Sequence, residues 1–173
     1  RVKRTKMSGC QYLIVAIESG IQKVLDNVVK KKLDLSEVDR LMNACKKHNL
    51  RLYAFYVIGL PGESRDEIRG TVQYALERFK KFDVLPTINK AKTLPGTELY
   101  DIVHTGKLYE NELSHDENTI VTNEFNPAVI EQIYNRFTIK MMIIAFQKCL
   151  TSPTMMFTFV RLAFGYRWFF SRM

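Results

Sequence analysis

Tyr12-Leu13-Ile14-Val15-Ala16-Ile17-Glu18-Ser19-Gly20-Ile21-Gln22-Lys23-Val24-Leu25 is the stretch on which the fold turns. Its first six residues form an uncharged run of strand length, of the kind that suits a parallel strand covered on both faces. Glu18-Ser19-Gly20 breaks that run. Ile21, Val24, Leu25 and Val28 then recur at helical spacing. The change of period within three residues predicts a strand that turns almost directly into a helix, which is the opening of a βαβ unit.

The pattern repeats downstream. Asp34 followed three residues later by Glu37 predicts a capping box, heading a helix whose apolar face is Leu35, Val38, Leu41, Met42 and Cys45. Lys46, Lys47 and His48 fall in its last turn, where the helix dipole favours cations. Leu50 to Leu60 is strand-like through Tyr53, Phe55, Val57 and Ile58, and Gly59-Leu60-Pro61-Gly62 ends it. Ser64 and Glu67 form a second capping-box pattern, before a helix with Ile68, Val72, Ala75, Leu76 and Phe79 on one face. A third strand, from about Val84 to Lys90, leads to Pro95-Gly96-Thr97 and a short helix with Leu99, Ile102 and Val103 that stops near Gly106. Strand and helix alternate three times, which predicts parallel βαβ units with right-handed crossovers. From Lys107 to Asn126 the periodicity is lost. Asn126-Pro127 and Ser152-Pro153 each read as an N-cap and first helical position, predicting a long helix to about Leu150 and then a last one. The expected organisation is an α/β unit over residues 1–110 and a helical extension over 111–173.

In parallel α/β folds ligands lie outside the carboxyl ends of the strands. That rule gathers Glu18-Ser19-Gly20-Ile21-Gln22, Gly59-Leu60-Pro61-Gly62-Glu63-Ser64 and Lys92-Thr93-Leu94-Pro95-Gly96-Thr97 on one rim. The glycines allow close backbone approach, and the helix N-termini that follow suit an anionic group. From the residues alone, the rim is one that binds a polar small molecule.

These same segments carry a resemblance. Ala16-Ile17-Glu18-Ser19-Gly20-Ile21-Gln22-Lys23-Val24-Leu25 resembles the fourth-strand segment of radical S-adenosylmethionine enzymes, closest to the group that often carries a cobalamin-binding domain. Phe55 to Ser64 is similar to that group's fifth-strand segment, and Leu94-Pro95-Gly96-Thr97-Glu98-Leu99-Tyr100 resembles its sixth. The three stand in the family's order over roughly residues 8 to 107. The resemblance implies the C-terminal half of a partial TIM-like (βα)6 barrel. It also implies S-adenosylmethionine as cofactor, a [4Fe–4S] cluster held by a CxxxCxxC loop in the absent half, and cobalamin as an optional further cofactor. In the intact enzyme, it implies reductive cleavage to a 5′-deoxyadenosyl radical, or cobalamin-assisted methyl transfer. Glu18, Ser19 and Gln22 match the segment facing the methionine and ribose portions. Ile58, Gly59 and Leu60 match the segment packing near the adenine, while Glu63 is expected to brace its own loop. Thr93 stands where many relatives have proline, and Lys90 and Lys92 are unusual neighbours, so the resemblance assigns no substrate contact to the third strand. Catalytic residues are unassigned and no metal ligand is expected in this chain. The implied partners are the N-terminal half of the same enzyme and a small-molecule substrate, with a lipid-like one among the options.

Composition sets the outer limits. The chain has 173 residues, 46% of them hydrophobic and 25% charged, a globular balance. The net charge of +8 gathers at the ends. Arg1, Lys3, Arg4 and Lys6 open the chain, and Lys140, Lys148, Arg161, Arg167 and Arg172 lie in an acid-free final segment. A nucleic-acid-reading face is therefore not expected. The first residues lead quickly into a strand, and the chain reads as starting in mid-domain. Cys10, Cys45 and Cys149 have no metal-ligand spacing and read as buried free thiols in a reducing, cytoplasmic compartment. His48, His104 and His115 likewise lack partner spacing. The last helix interleaves Phe157, Phe159, Trp168 and Phe170 with arginines, a pattern that suits either an anionic membrane surface at the inner membrane or docking on the missing half.

Three other classes stay open at this point. A methylthiotransferase without cobalamin is the first, although that group's C-terminal β-barrel is not legible. An unrelated phosphate-binding βα enzyme is the second, in which phosphate and not S-adenosylmethionine protects the loops. A non-catalytic membrane-surface protein is the third, in which liposome flotation is indifferent to cofactor.

Overall fold

The computed structural model describes residues 1–106 and 120–151. His115 and the last helix expected from Ser152, with its aromatic and arginine residues, lie outside the described residues. The chain divides into two compact units, Arg1–Tyr134 and Asn135–Met173. The described residues hold helices α1 (Val2–Met7), α2 (Gln22–Asn27), α3 (Leu35–Lys47), α4 (Arg65–Phe82), α5 (Glu98–Thr105) and α6 (Pro127–Thr151). Their strands are β1 (Tyr12–Glu18), β2 (Arg51–Ile58) and β3 (Leu85–Lys90).

The strands form one parallel sheet in the order β1-β2-β3. A doubly wound sheet reverses its order at a switch point and carries helices on both faces. Here sequential strands are neighbours, and α3 and α4 pack on each other and on β2, so both crossovers lie on one face. That face is dry: Leu52, Ala54, Tyr56 and Ile58 of β2 are buried against Val38, Met42, Ile68, Val72 and Phe79 of the helices. Arg78 of α4 clamps Asp39 of α3 with two hydrogen bonds, Nε to Oδ1 at 2.9 Å and Nη2 to Oδ2 at 2.7 Å, and the Tyr74 hydroxyl adds a third at 3.0 Å. Partial burial pushes the Asp39 carboxyl upward, but these bonds and the guanidinium charge outweigh it and hold it below the ordinary carboxylate range.

Four expectations are corrected. β1 is not covered on both faces: Tyr12 is 55% and Ile14 56% exposed, and Ile17 is its one buried residue. It is an edge strand among the described residues, and its helix-free face meets β2 through the Tyr12–Tyr53 edge-on ring contact at 5.6 Å. The chain does not enter β1 almost at once, because the basic first residues wind into α1, a short helix with no buried residue. Asp34 caps α3 by accepting the Ser36 N–H at 2.7 Å, but Glu37 turns to Arg40 at 3.2 Å instead of completing a box. The strands are shorter at their ends than their apolar runs, since Leu50 and Val84 precede pairing and are simply buried. The second capping box forms in full, with Ser64 N–H on Glu67 Oε2 at 2.8 Å and Glu67 N–H on Ser64 Oγ at 3.2 Å. Asn126 also caps as expected, accepting the Val129 N–H at 3.0 Å. No helix among the described residues is long and apolar enough to cross a membrane.

Candidate functional site

Parallel pairing puts the ends of all three strands on one side. Glu18 is aligned with Tyr56 and Ile58 with Lys90, and the Ile58 carbonyl accepts the Ala91 N–H at 2.8 Å. A cleft of about 480 Å³ opens there, within the usual size of small-molecule sites. Two of the three rim segments supply part of its wall, and the helix that follows the third supplies another. Glu18 comes from the tip of β1, Leu60, Pro61 and Gly62 from the turn after β2, and Leu99 and Ile102 from α5. The loop after α2 closes the fourth side with Val28 and Lys30. The segment after β3 thus reaches the cleft through α5 and not through Pro95-Gly96.

Glu18 occupies this position in a left-handed backbone conformation, with φ of 76°, uncommon for a residue with a Cβ. Non-glycine residues held in such conformations cluster at functional sites, where the surrounding structure compensates the cost. A bulge between Ala16 and Glu18 accompanies it and re-aims the side chain. Lys31 anchors the tip from the opposite loop, pairing with the Glu18 carboxylate at 3.5 Å and donating to the Ala16 carbonyl. Across the cleft mouth Lys30 meets Glu98 at 3.3 Å, an exposed pair of little energetic weight. Asn27 adds a polar side chain and the rest of the wall is apolar, so the chemistry on offer is two carboxylates, Glu18 and Glu98, each with a lysine counter-charge, at the edge of an oily slot.

The six residues singled out from the sequence do not form one cluster. Glu18 and Leu60 share the cleft. Ile58 and Gly59 line a separate hollow of about 300 Å³ near Lys90, Phe125 and Ile130. Ser19 is fully buried; its Oγ meets Thr71 Oγ1 of α4 at 2.9 Å and accepts the Ile21 N–H at 3.1 Å. The Gln22 amide is also engaged, donating to Asp26 and to the Leu33 carbonyl at 2.9 Å and accepting the Leu35 N–H at 3.1 Å. Ser19 docks the strand tip on α4, and Gln22 ties off the α2–α3 loop. Sequence reasoning missed Val57, Leu99, Ile102 and Lys31. The apolar three read as ordinary core positions, and Lys31 lay in a run of three lysines with no internal cue to separate it from the others.

Glu63 braces its loop, as expected. Its Oε2 accepts the N–H of Gly59 at 2.9 Å and of Leu60 at 2.8 Å, so those two amides are already committed. Of the three thiols expected to be buried only Cys45 is, Cys10 and Cys149 being half-buried, and neither Cys10 nor Cys45 fits an iron–sulfur cluster at this rim. Cys45 is buried in α3, and Cys10 hydrogen-bonds the Tyr12 carbonyl at the opposite end of β1. Among the described residues no three His, Cys, Asp or Glu side chains gather as a metal site.

Fold and site together define a parallel α/β unit with a small-molecule cleft at its strand tips. No family model matches the chain. It is similar to the cytidylyl-2-hydroxyethylphosphonate methyltransferase of Streptomyces wedmorensis, 34% identical over 76 residues, which cover 40% of this chain and 14% of that one. It is also similar to an uncharacterized methyltransferase of Pyrococcus horikoshii, 30% identical over 100 residues, 57% of this chain and 21% of that one. Both relatives are methyltransferases, and the chain spans only a minor part of either.

Proposed function

We propose that this chain is the C-terminal half of a radical S-adenosylmethionine barrel of the cobalamin-associated group, and that it contributes one wall of the methyl-donor site in a methyl-transfer enzyme. The observation that carries the reading is the single cleft walled by all three strand-tip segments that bear the family resemblance. Sequential strand order with both crossovers on one face supports a barrel sector over a doubly wound sheet. The apolar, half-open opposite face of the sheet is the surface that such a barrel turns inward, where the N-terminal half would complete it. Similarity to two methyltransferases favours transfer of a methyl group over other uses of the same donor.

The cleft fits part of S-adenosylmethionine. Val57, Leu60, Leu99 and Ile102 suit the faces of a nucleoside, and the Glu18 carboxylate suits the ribose hydroxyls or the ammonium of the methionine portion. When bound, the donor supplies a methyl group on a sulfonium. This chain orients it and shields one side from water. An iron–sulfur cluster belongs in this reading to the other half, and no described residue is assigned to cobalamin. In this reading the enzyme works in the cytoplasm on a small molecule, with peripheral contact at the inner membrane surface as the role proposed for the segment after Ser152.

Half a pocket binds weakly, so the free chain is expected to hold S-adenosylmethionine with a Kd of about 1 mM. Glu18→Gln should weaken this by about tenfold through loss of a charge-assisted contact. Inorganic phosphate at the same concentration should not compete. Ligand-observed NMR titration measures all three. Phosphate competition with an indifferent Glu18→Gln would favour the unrelated phosphate-binding enzyme.

A further inference from the structure

Glu63 is 1% exposed, and while its Oε2 takes two backbone N–H groups, its Oε1 is buried with no hydrogen-bond partner among the described residues. A carboxylate sealed in this way carries an unsolvated charge, which costs far more than a neutral hydroxyl in the same place. The turn it holds is the lip of the cleft, since Leu60, Pro61 and Gly62 form that wall. Left-handed glycines stand at both ends of the turn, Gly59 with φ of 85° and Gly62 with φ of 95°, so the backbone has two points at which it can swing. Of the groups that bear on Glu63, the like charge of Glu67 favours its neutral form, while the Gly59 and Leu60 N–H groups favour the ionised one. Glu67 of α4 is a nearby like charge, and Lys23 of α2 is engaged with Glu67 at 3.3 Å.

We propose that Glu63 is a proton-operated positioning residue: protonated, it latches the lip of the cleft, and on losing its proton it turns outward and releases the Gly59 and Leu60 amides. In place, the ionised form gains from the two N–H bonds while Oε1 stays cut off from water. That deficit is relieved only by rotating the carboxylate toward solvent, which gives up both bonds. Burial, offset in part by the Leu60 and Gly59 amides, pushes the carboxyl up to about 7, so the switch operates within the physiological range. The inference goes beyond the proposed methyl-donor site and depends on it only for what the moving lip does to a ligand.

The test needs no ligand, so its failure is separate from failure of the functional reading. In the full ¹⁵N-labelled chain, the amide resonances of Gly59 and Leu60 should shift between pH 5.5 and 8.5 with one midpoint near 7. Their hydrogen exchange, corrected for intrinsic base catalysis, should accelerate by about tenfold above the midpoint. The methyl groups of Leu60 and Ile102 should share that midpoint. Glu63→Gln should abolish all three responses. Should that variant not fold, the ¹³C-carboxyl titration of Glu63 in the unaltered chain decides alone. Amides that stay flat across the window, or a midpoint that survives in Glu63→Gln, overturn the proposal. So does a midpoint in the amides without one in the cleft methyls.

Discussion

Gly20→Ala is expected to destabilise the fold by about 3 kcal/mol, at the upper end of what overpacking costs. A Cβ at this position lies 2.5 Å from Tyr74 Cβ and 2.7 Å from Tyr74 Cγ. Real side chains do not approach so closely, and the atom in the way is fixed to the α4 backbone. The strand tip cannot retreat either, because the Gly20 N–H donates to Thr71 Oγ1 at 3.1 Å and Ser19 bonds the same hydroxyl. Truncating Tyr74 to alanine should therefore give no rescue, since alanine keeps the offending Cβ. Gly70→Ala makes the contrast. Its Cβ meets Ile21 Cδ1 at 2.7 Å, while the next atom is Cγ1 at 3.4 Å. Removing Cδ1 by Ile21→Val should recover most of the loss. Urea unfolding of the four variants checks the pattern. Equal rescue in both pairs would show that the close approach of β1 to α4 is wrong.

The second large effect is a pH dependence set by Glu63. Its folded pKa of about 7 stands above the ordinary value of 4.5. Between these two values the unfolded chain sheds the proton first, so stability falls as pH rises through this window and levels off above it. The protonated group's contribution is thus fully present below about pH 4.5 and lost above about pH 7, a total on the order of 3 kcal/mol. Glu63→Gln keeps an acceptor for the Gly59 and Leu60 amides without the charge. It should match the unaltered chain within about 1 kcal/mol at pH 5 and exceed it by up to about 3 kcal/mol at pH 8. Glu63→Ala abandons the buried Gly59 amide and the part-buried Leu60 amide and should lose about 3 kcal/mol at pH 5. Asp39 acts with the opposite sign. Its depressed carboxyl contributes stability above its unfolded pKa, and that contribution is lost only as pH falls through the folded value. The two carboxyls titrate in separate ranges, so denaturation profiles taken from pH 3 to 8 resolve them.

The parts of the fold that could be read in advance are those whose cause is local. Ser64 and Glu67 are three residues apart and announce their cap; Gly59-Leu60-Pro61-Gly62 announces a break whatever surrounds it. That the tips of β1, β2 and β3 lie on one side followed from a general rule about parallel sheets; the cleft takes its wall from the first two, with α5 in place of the β3 tip. The engagement of Ser19 was not legible because its partner, Thr71, is 52 residues away. The bracing contacts of Gln22 were not legible either, because a polar side chain at a loop corner suits a ligand and a backbone brace equally well. The open face of β1 was hidden by composition, since Tyr12, Ile14 and Ala16 look the same whether a covering layer is present or absent. The pair of Glu18 and Lys31 required knowledge of how the α2–α3 loop returns to the strand tip, which no local spacing encodes.

The central claim is that the tips of β1 and β2 and the helix α5 converge on one nucleoside-sized cleft. Isotope-filtered NOE measurement on the full chain with S-adenosylmethionine addresses it most directly. The account predicts contacts from the adenine and ribose protons to the methyl groups of Val57, Leu60, Leu99 and Ile102, all lost together in the presence of excess adenosine. Contacts confined to the hollow around Ile130 and Phe125, or to the exposed β1 face around Ile14, would contradict it.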